Sequence, residues 1–173
     1  LYHDDERHSR LWGLFHDRLP TLVIMIAVIQ RVSQATLQID NALQASIQQG
    51  FVVLLGIHVD DTPEDVAYLA GKIAGLRIFS DEEGKMNLDL QAIQGELLLV
   101  SQFTLYAATR KGNRPSFLES AKPEQAIPLY ELMIKTLSDK LGQNIQTGVF
   151  GADMQINLTN DGPVTIIIDS KNP

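Results

Sequence analysis

Residues 157–169, NLTNDGPVTIIID, decide how the chain is read. VTIIID (164–169) is β-branched and apolar, the composition of a buried strand. MQINL (154–158), just upstream, alternates, with Met154, Ile156 and Leu158 on one face. Between the two stand Asn160, Asp161, Gly162 and Pro163. Asn-Asp-Gly reads as a hairpin turn joining two strands. A hairpin has no use for Pro163 directly after the glycine, because proline removes a ladder donor at the head of the strand it opens. The Gly-Pro pair therefore needs an explanation that a turn does not supply.

Upstream, the elements follow one another closely. IAVIQRV (26–32) and ATLQID (35–40) read as two strands around Ser33-Gln34, and SIQQGFVVLLGIHV (46–59) holds a third and a fourth. The last is a continuous apolar run, as in a strand covered on both faces. Thr62-Pro63-Glu64 opens a helix, with Thr as N-cap and Pro at the first helical position. Val66, Leu69, Ala70 and Ile73 form its apolar stripe. LRIFS (76–80) is a short strand, DEEGKMN (81–87) a turn, and GELLLVSQFTLY (95–106) a long strand. A second helix is predicted over 124–141, with Ala126, Tyr130, Met133, Leu137 and Leu141 on one face. Its Pro128 is tolerable only within a first turn. IQTGVF (145–150), MQINL and VTIIID complete the strands. Many strands with two helices predict an α+β domain, its sheet mostly antiparallel and barrel-like.

Composition narrows the function classes. The 173 residues are 45% hydrophobic and 20% charged, which suits one domain with a real core. The absence of cysteine excludes disulfides, a thiolate nucleophile and a thiolate metal site. A net charge of −7 argues against a general nucleic-acid coat but leaves room for a local basic site. The apolar run TLVIMIAVI (21–29) is too short to span a bilayer. The segment before it carries Asp4, Asp5, Glu6 and Asp17, so it is no cationic leader, and a cytoplasmic location is expected. Residues 1–24 read as an extension outside the fold, and 25–173 as the domain. His3, His8 and His16 in the extension match no common metal-ligand spacing, and no metal or other cofactor is expected.

The usual catalytic side chains are scarce. After Met25 the only histidine is His58, in GIHVDD, and a buried-strand histidine is more often structural. No nucleophile elbow is present, and Gly84-Lys85 is followed by Met86, so there is no phosphate-binding loop. DEEGKMNLD has its glycine too early for a calcium loop. Ser101-Gln102-Phe103-Thr104 follow an apolar strand and either close it or line a pocket. Thr104 is a nucleophile only if a base activates it, and otherwise its hydroxyl and backbone N–H are pocket donors. Arg110-Lys111-Gly112-Asn113-Arg114-Pro115-Ser116-Phe117 is the densest basic run, either a solvated loop or a contact for phosphate or RNA backbone.

SQFTLY (101–106) with NDGPVT (160–165) resembles the paired signature of the D-aminoacyl-tRNA deacylases, the family of D-tyrosyl-tRNA(Tyr) deacylase. The likeness runs in order through MIAVIQRV, VVLLGI, LRIFSDEEGKMN, KGNRPSF and TGVFGADM, and covers residues 25–173. The resemblance implies a homodimer that hydrolyses the ester between a D-amino acid, or glycine, and the 3′-terminal adenosine of tRNA. It implies no cofactor and neither DNA nor a membrane as partner. In that family the Gly-Pro peptide is cis and reaches across the dimer into the partner's site. Carried over, Gly162 and Pro163 form a gate whose carbonyl oxygens leave no room for an L side chain, held in shape by Asn160, Asp161 and Thr165. Ser101, Gln102, Phe103 and Thr104 form the catalytic pocket, where the tRNA 2′-OH and water replace a protein nucleophile. Lys111 and Arg114 contact tRNA. Two positions depart from the pattern: Asp40-Asn41-Ala42 stands where a glycine is frequent in the turn, and Ala108 where an acidic residue is common. Two other readings compete: a binder of the aminoacyl-tRNA 3′ end without turnover, and a general esterase with Thr104 as nucleophile.

Overall fold

The computed structural model describes residues 24–171, so the histidine triplet and nearly all of the 1–24 extension lie outside the described residues. Eight strands and two helices follow in the order β1 (Ile26–Ile39), β2 (Ala42–Ile47), β3 (Gly50–Gly56), α1 (Pro63–Ala74), β4 (Phe79–Ser80), β5 (Met86–Leu88), β6 (Glu96–Ser101), α2 (Pro123–Leu141), β7 (Gln146–Thr147) and β8 (Gln155–Asp169). The α+β expectation holds.

β1 is the spine. It runs straight through Ser33 and Gln34, so the two strands expected there are one. Asp40 and Asn41 both take positive φ, 50° and 62°. Those two residue types tolerate the left-handed region, and the hairpin closes without the glycine usual there. β2 and then β3 return along one edge of β1, both antiparallel. β3 pairs with β6 and β6 with β7 in parallel. Parallel neighbours need a crossover, and α1 and α2 lie in those two connections. The curl of the sheet brings β2 towards β6 and β7, giving a nearly closed, barrel-like core.

Each face of the sheet has its own apolar cluster. Ala27, Ile29, Phe51, Val53, Leu55, Leu97 and Leu99 pack under the helices against Val66, Leu69, Ile73, Met133 and Leu137. Val32, Leu37, Ile47, Val52, Leu98 and Val100 fill the curled interior, with Met154, Ile156 and Leu158 half-buried against them. Burying a side chain of this size is worth about 2 kcal/mol, so both clusters hold the fold.

The NDGP stretch is not a hairpin turn. MQINL and VTIIID belong to one strand, β8, which follows β1 along its whole length. A hairpin would pair the two arms with each other; here the 14-residue β1 offers one edge long enough for both. Gln30 pairs with Thr165 and Val32 with Asn160, so residues 161–164 stand opposite Arg31 alone. The excess is a bulge, and Pro163 sits where no ladder donor is required. The Gly162-Pro163 peptide is cis.

Two further expectations change. GELLLVSQFTLY is a strand only to Ser101, and Phe103–Tyr106 form one turn of 3-10 helix. Its aromatic and β-branched residues suit a strand, but the pairing with β3 runs out at Leu55–Ser101. Gln102 closes the ladder by donating its N–H to the Leu55 carbonyl at 2.7 Å. Pro128 falls in the second turn of α2, not the first. It lies on the exposed face with Glu124, whose carbonyl loses its helical donor to the proline.

Candidate functional site

Where β3 and β6 end side by side, the sheet stops and a cavity of about 270 Å³ begins. Ser101, Gln102 and Phe103 form one wall. Leu55 and Ile57 continue β3 into a second wall, Ala121 and Ala126 lead into α2, and Phe150, Met154 and Ile156 close the far side. The far side is the part that strand and helix patterns do not reveal. Phe150 and Met154 lie beside a short strand and a bend, and only the fold brings them to Ser101.

The polar end of the cavity is the 3-10 turn. Its first N–H groups have no acceptor within the turn, since helical bonds begin only further along. Gln102 Nε2 donates to the Thr104 hydroxyl. Thr104 itself is exposed and is not part of the cavity wall. The one imidazole among the described residues is engaged elsewhere: His58 is 2% exposed, and its Nδ1 accepts the Asp60 N–H at 3.1 Å. Burial lowers the His58 pKa.

Phe103 is 57% exposed at the cavity mouth, and its ring meets the edge of Phe117, centroids 5.2 Å apart. That contact anchors the basic loop. Ala108 and Ser116 exchange backbone hydrogen bonds at 2.8 and 3.0 Å, closing a loop that presents Arg110, Lys111 and Arg114 to solvent beside the cavity. Ala108 thus serves through its backbone, and the loop closes without the acidic side chain common there.

None of Asn160, Asp161, Gly162, Pro163 or Thr165 lines this cavity. They form a separate feature on β8, gripped from β1. Arg31, 9% exposed, sends Nε to the Asp161 carbonyl at 3.1 Å and lies 3.2 Å from its carboxylate. Its Nη1 donates to the Ile78 carbonyl at 2.6 Å. Thr165 donates its hydroxyl to Gln30 Oε1, pinning the arm beyond the bulge. Asn160 stays exposed at the near end. Gly162 has φ +121°, and a Cβ there would stand 2.9 Å from Val164 Cγ2 and 3.1 Å from Arg31 Nη2. Backbone angle and crowding together demand glycine. The role of Arg31 went unread in the sequence, although a lone arginine facing inward from an apolar strand requires buried acceptors.

Residues 28–169 match the family D-Tyr-tRNA(Tyr) deacylase. The chain belongs to that family. Among the relatives of this deacylase family, a D-aminoacyl-tRNA deacylase of Cytophaga hutchinsonii is 63% identical over 148 residues, covering 86% of this chain and 99% of its own. One of Flavobacterium johnsoniae is 54% identical over the same length, with the same coverage. Among solved structures, the c-Myc DNA Unwinding Element Binding Protein superposes with a TM-score of 0.77 at 39% identity, over 83% of this chain and 97% of that one. A probable eukaryotic D-amino acid tRNA deacylase superposes with a TM-score of 0.74 at 18% identity, over 85% and 100%, a likeness of fold. The described residues hold no cluster of three His, Cys, Asp or Glu side chains placed for a metal, and no helix among them is long and apolar enough to cross a membrane.

Proposed function

We propose that the chain hydrolyses the ester bond of D-aminoacyl-tRNA, and of glycyl-tRNA, while sparing L-aminoacyl-tRNA. Membership of the deacylase family supports the reaction, with relatives of that name at 54–63% identity over nearly their full length. The observation that carries the mechanism is the separation of the two signature stretches. Ser101, Gln102 and Phe103 line the cavity, while Gly162 and Pro163 do not. In this reading the gate on the cavity comes from a second copy, and the working unit is a homodimer with two composite sites.

In this reading the aminoacyl-adenosine end of tRNA enters between Phe103 and the cavity walls, and Lys111 and Arg114 hold the phosphates nearby. The free N–H groups of the 3-10 turn receive the charge that grows on the ester oxygen as water attacks. The ribose 2′-OH assists the departure of its neighbouring oxygen, so no protein nucleophile is needed. The environment of Thr104 agrees: its hydroxyl accepts from an amide rather than donating to a base, which disfavours the esterase reading. The partner's Gly162 and Pro163 carbonyls face the amino acid's Cα. Rejecting the L ester a thousandfold needs about 4 kcal/mol, within reach of a clash against a rigid backbone. The catalytic domain in this reading spans residues 25–173, and the cytoplasm, where aminoacyl-tRNA is made, is its place.

Deacylation of D-Tyr-tRNA and L-Tyr-tRNA, measured side by side with chelator present, tests the proposal. Loss of the D ester alone supports it. Equal loss of both removes the gate from the mechanism, and stable binding without turnover leaves a module that only holds the 3′ end.

A further inference from the structure

Away from the cavity, three segment ends converge on one buried carboxylate. Asp61 precedes α1 and is 5% exposed. Its Oδ2 accepts the His58 N–H at 2.6 Å, whereas among the described residues its Oδ1 has no hydrogen-bond partner. Nothing in the proposed reaction uses Asp61. The neighbouring Asp65 is fully engaged: Oδ1 accepts from Ser170 Oγ at 2.6 Å, and Oδ2 from Thr62 N and Oγ1 at 2.9 and 3.0 Å. The start of β1 closes the third side. Met25 is 0% exposed, its carbonyl accepts the Ser170 N–H at 3.0 Å, and its own N–H is near enough to the Asp61 carboxylate to favour the charged form, yet Oδ1 is left without a well-formed hydrogen bond.

A buried carboxylate oxygen without a donor is costly, and a single amide N–H carries no charge to offset it. An ammonium group at the nitrogen of residue 25 supplies both three donors and a positive charge. We propose that Asp61 forms a buried receptor for an α-ammonium group at Met25, and that the form of the domain that fills this receptor begins at that residue. The surroundings allow the change. Tyr106 Oη donates to the Ile24 carbonyl, but the Gly56 carbonyl lies 3.2 Å away as a second acceptor when residue 24 is absent. The charged groups facing Asp61 are Asp65 and Lys171, with His58 and Tyr106 beside them. Asp65 favours a cation, and Lys171, being exposed, leaves the inner oxygen uncompensated. The 148 residues that match 99% of the length of several relatives correspond in extent to a domain starting here, so such a chain is expected to fold by itself.

The test uses the chain from Met25 in two forms, with a free α-amine and with the amine acetylated, each with Asp61 and with Asp61→Asn. With the free amine, Asp61→Asn is expected to lower the urea midpoint. With the acetylated amine it is expected to leave the midpoint unchanged or raise it, because it then removes an unpaired buried charge. A loss of equal size in both forms overturns the proposal. Should Asp61→Asn fail to fold, NMR titration of the α-amine in the unsubstituted chain decides. A pKa at least one unit above the ordinary 7.7–8.0, a tenfold shift in proton affinity, supports the receptor, and an ordinary value overturns it.

Discussion

Gly162 is held by its backbone angle and by what surrounds it, and the two can be separated by substitution. Gly162→Ala is expected to destabilise the fold by about 1–3 kcal/mol, from the cost of φ +121° and from the 2.9 Å approach to Val164. Urea unfolding checks that figure. In the same variant the ratio of D to L deacylation should fall well below that of the parent, whereas a change in stability alone would leave the ratio intact. Arg31→Met removes the grip on Asp161 and Ile78 while keeping much of the side chain's bulk. It should also lower the D/L ratio, and it should cost stability by stranding the Ile78 carbonyl. Thr104→Ala, by contrast, is expected to keep D-Tyr-tRNA turnover within about tenfold, since only the Gln102 amide loses a partner. A loss greater than a thousandfold would restore Thr104 as a nucleophile.

Among the elements, those built on local pattern were legible in the sequence, and those that depend on a distant partner were not. Helix α1 announced itself through Thr62, Pro63 and the stripe from Val66 to Ile73, and every one of those signals is local. The bulge in β8 could not be read that way. Asn-Asp-Gly is a good turn in isolation, and only the length of β1 turns the two flanking arms into one strand. The 3-10 turn after Ser101 is hidden for the same reason, since β3 sets where pairing ends. In the site, Ser101, Gln102 and Phe103 were recognisable as a motif. Phe150, Met154 and Ile156 reach the cavity only through the parallel placement of β6 and β7 and the return of β8. Pro128 marks an element below its optimum. Pro128→Ala returns a donor to the Glu124 carbonyl and should stabilise the protein by about 1 kcal/mol, the lost rigidity of the unfolded chain offsetting part of the gain. Urea midpoints of the pair measure it.

For the molecule as a whole, stability should carry the signature of Asp61. In the chain that continues ahead of Met25, burial pushes this carboxyl up to about 6 from its usual 3.8. The folded state then keeps a proton that the unfolded chain has released. The contribution is therefore present below about pH 4 and is lost as pH rises through 6. Asp61→Asn should flatten that part of the urea-midpoint profile, and an unchanged slope would assign it to other groups. The composite site makes a second demand. If one copy supplies the cavity and the other the gate, mixing Gly162→Ala with a Gln102→Ala chain must recreate intact sites. Random exchange puts about a quarter of all sites right, and selective D-Tyr-tRNA hydrolysis should recover to that extent. No recovery would place both parts in the same copy. The bulge opposite Arg31 also bears on how the gene can change. Its arms are fixed in register on both sides, and side chains alternate along a strand. Losing one codon between 161 and 164 would turn Ile167, now 68% exposed, into the helix-side core and drive Ile166 and Ile168 out to water. This segment should therefore drift by replacement and never in length, because single-residue insertions and deletions, harmless in most surface loops, here invert the strand that follows.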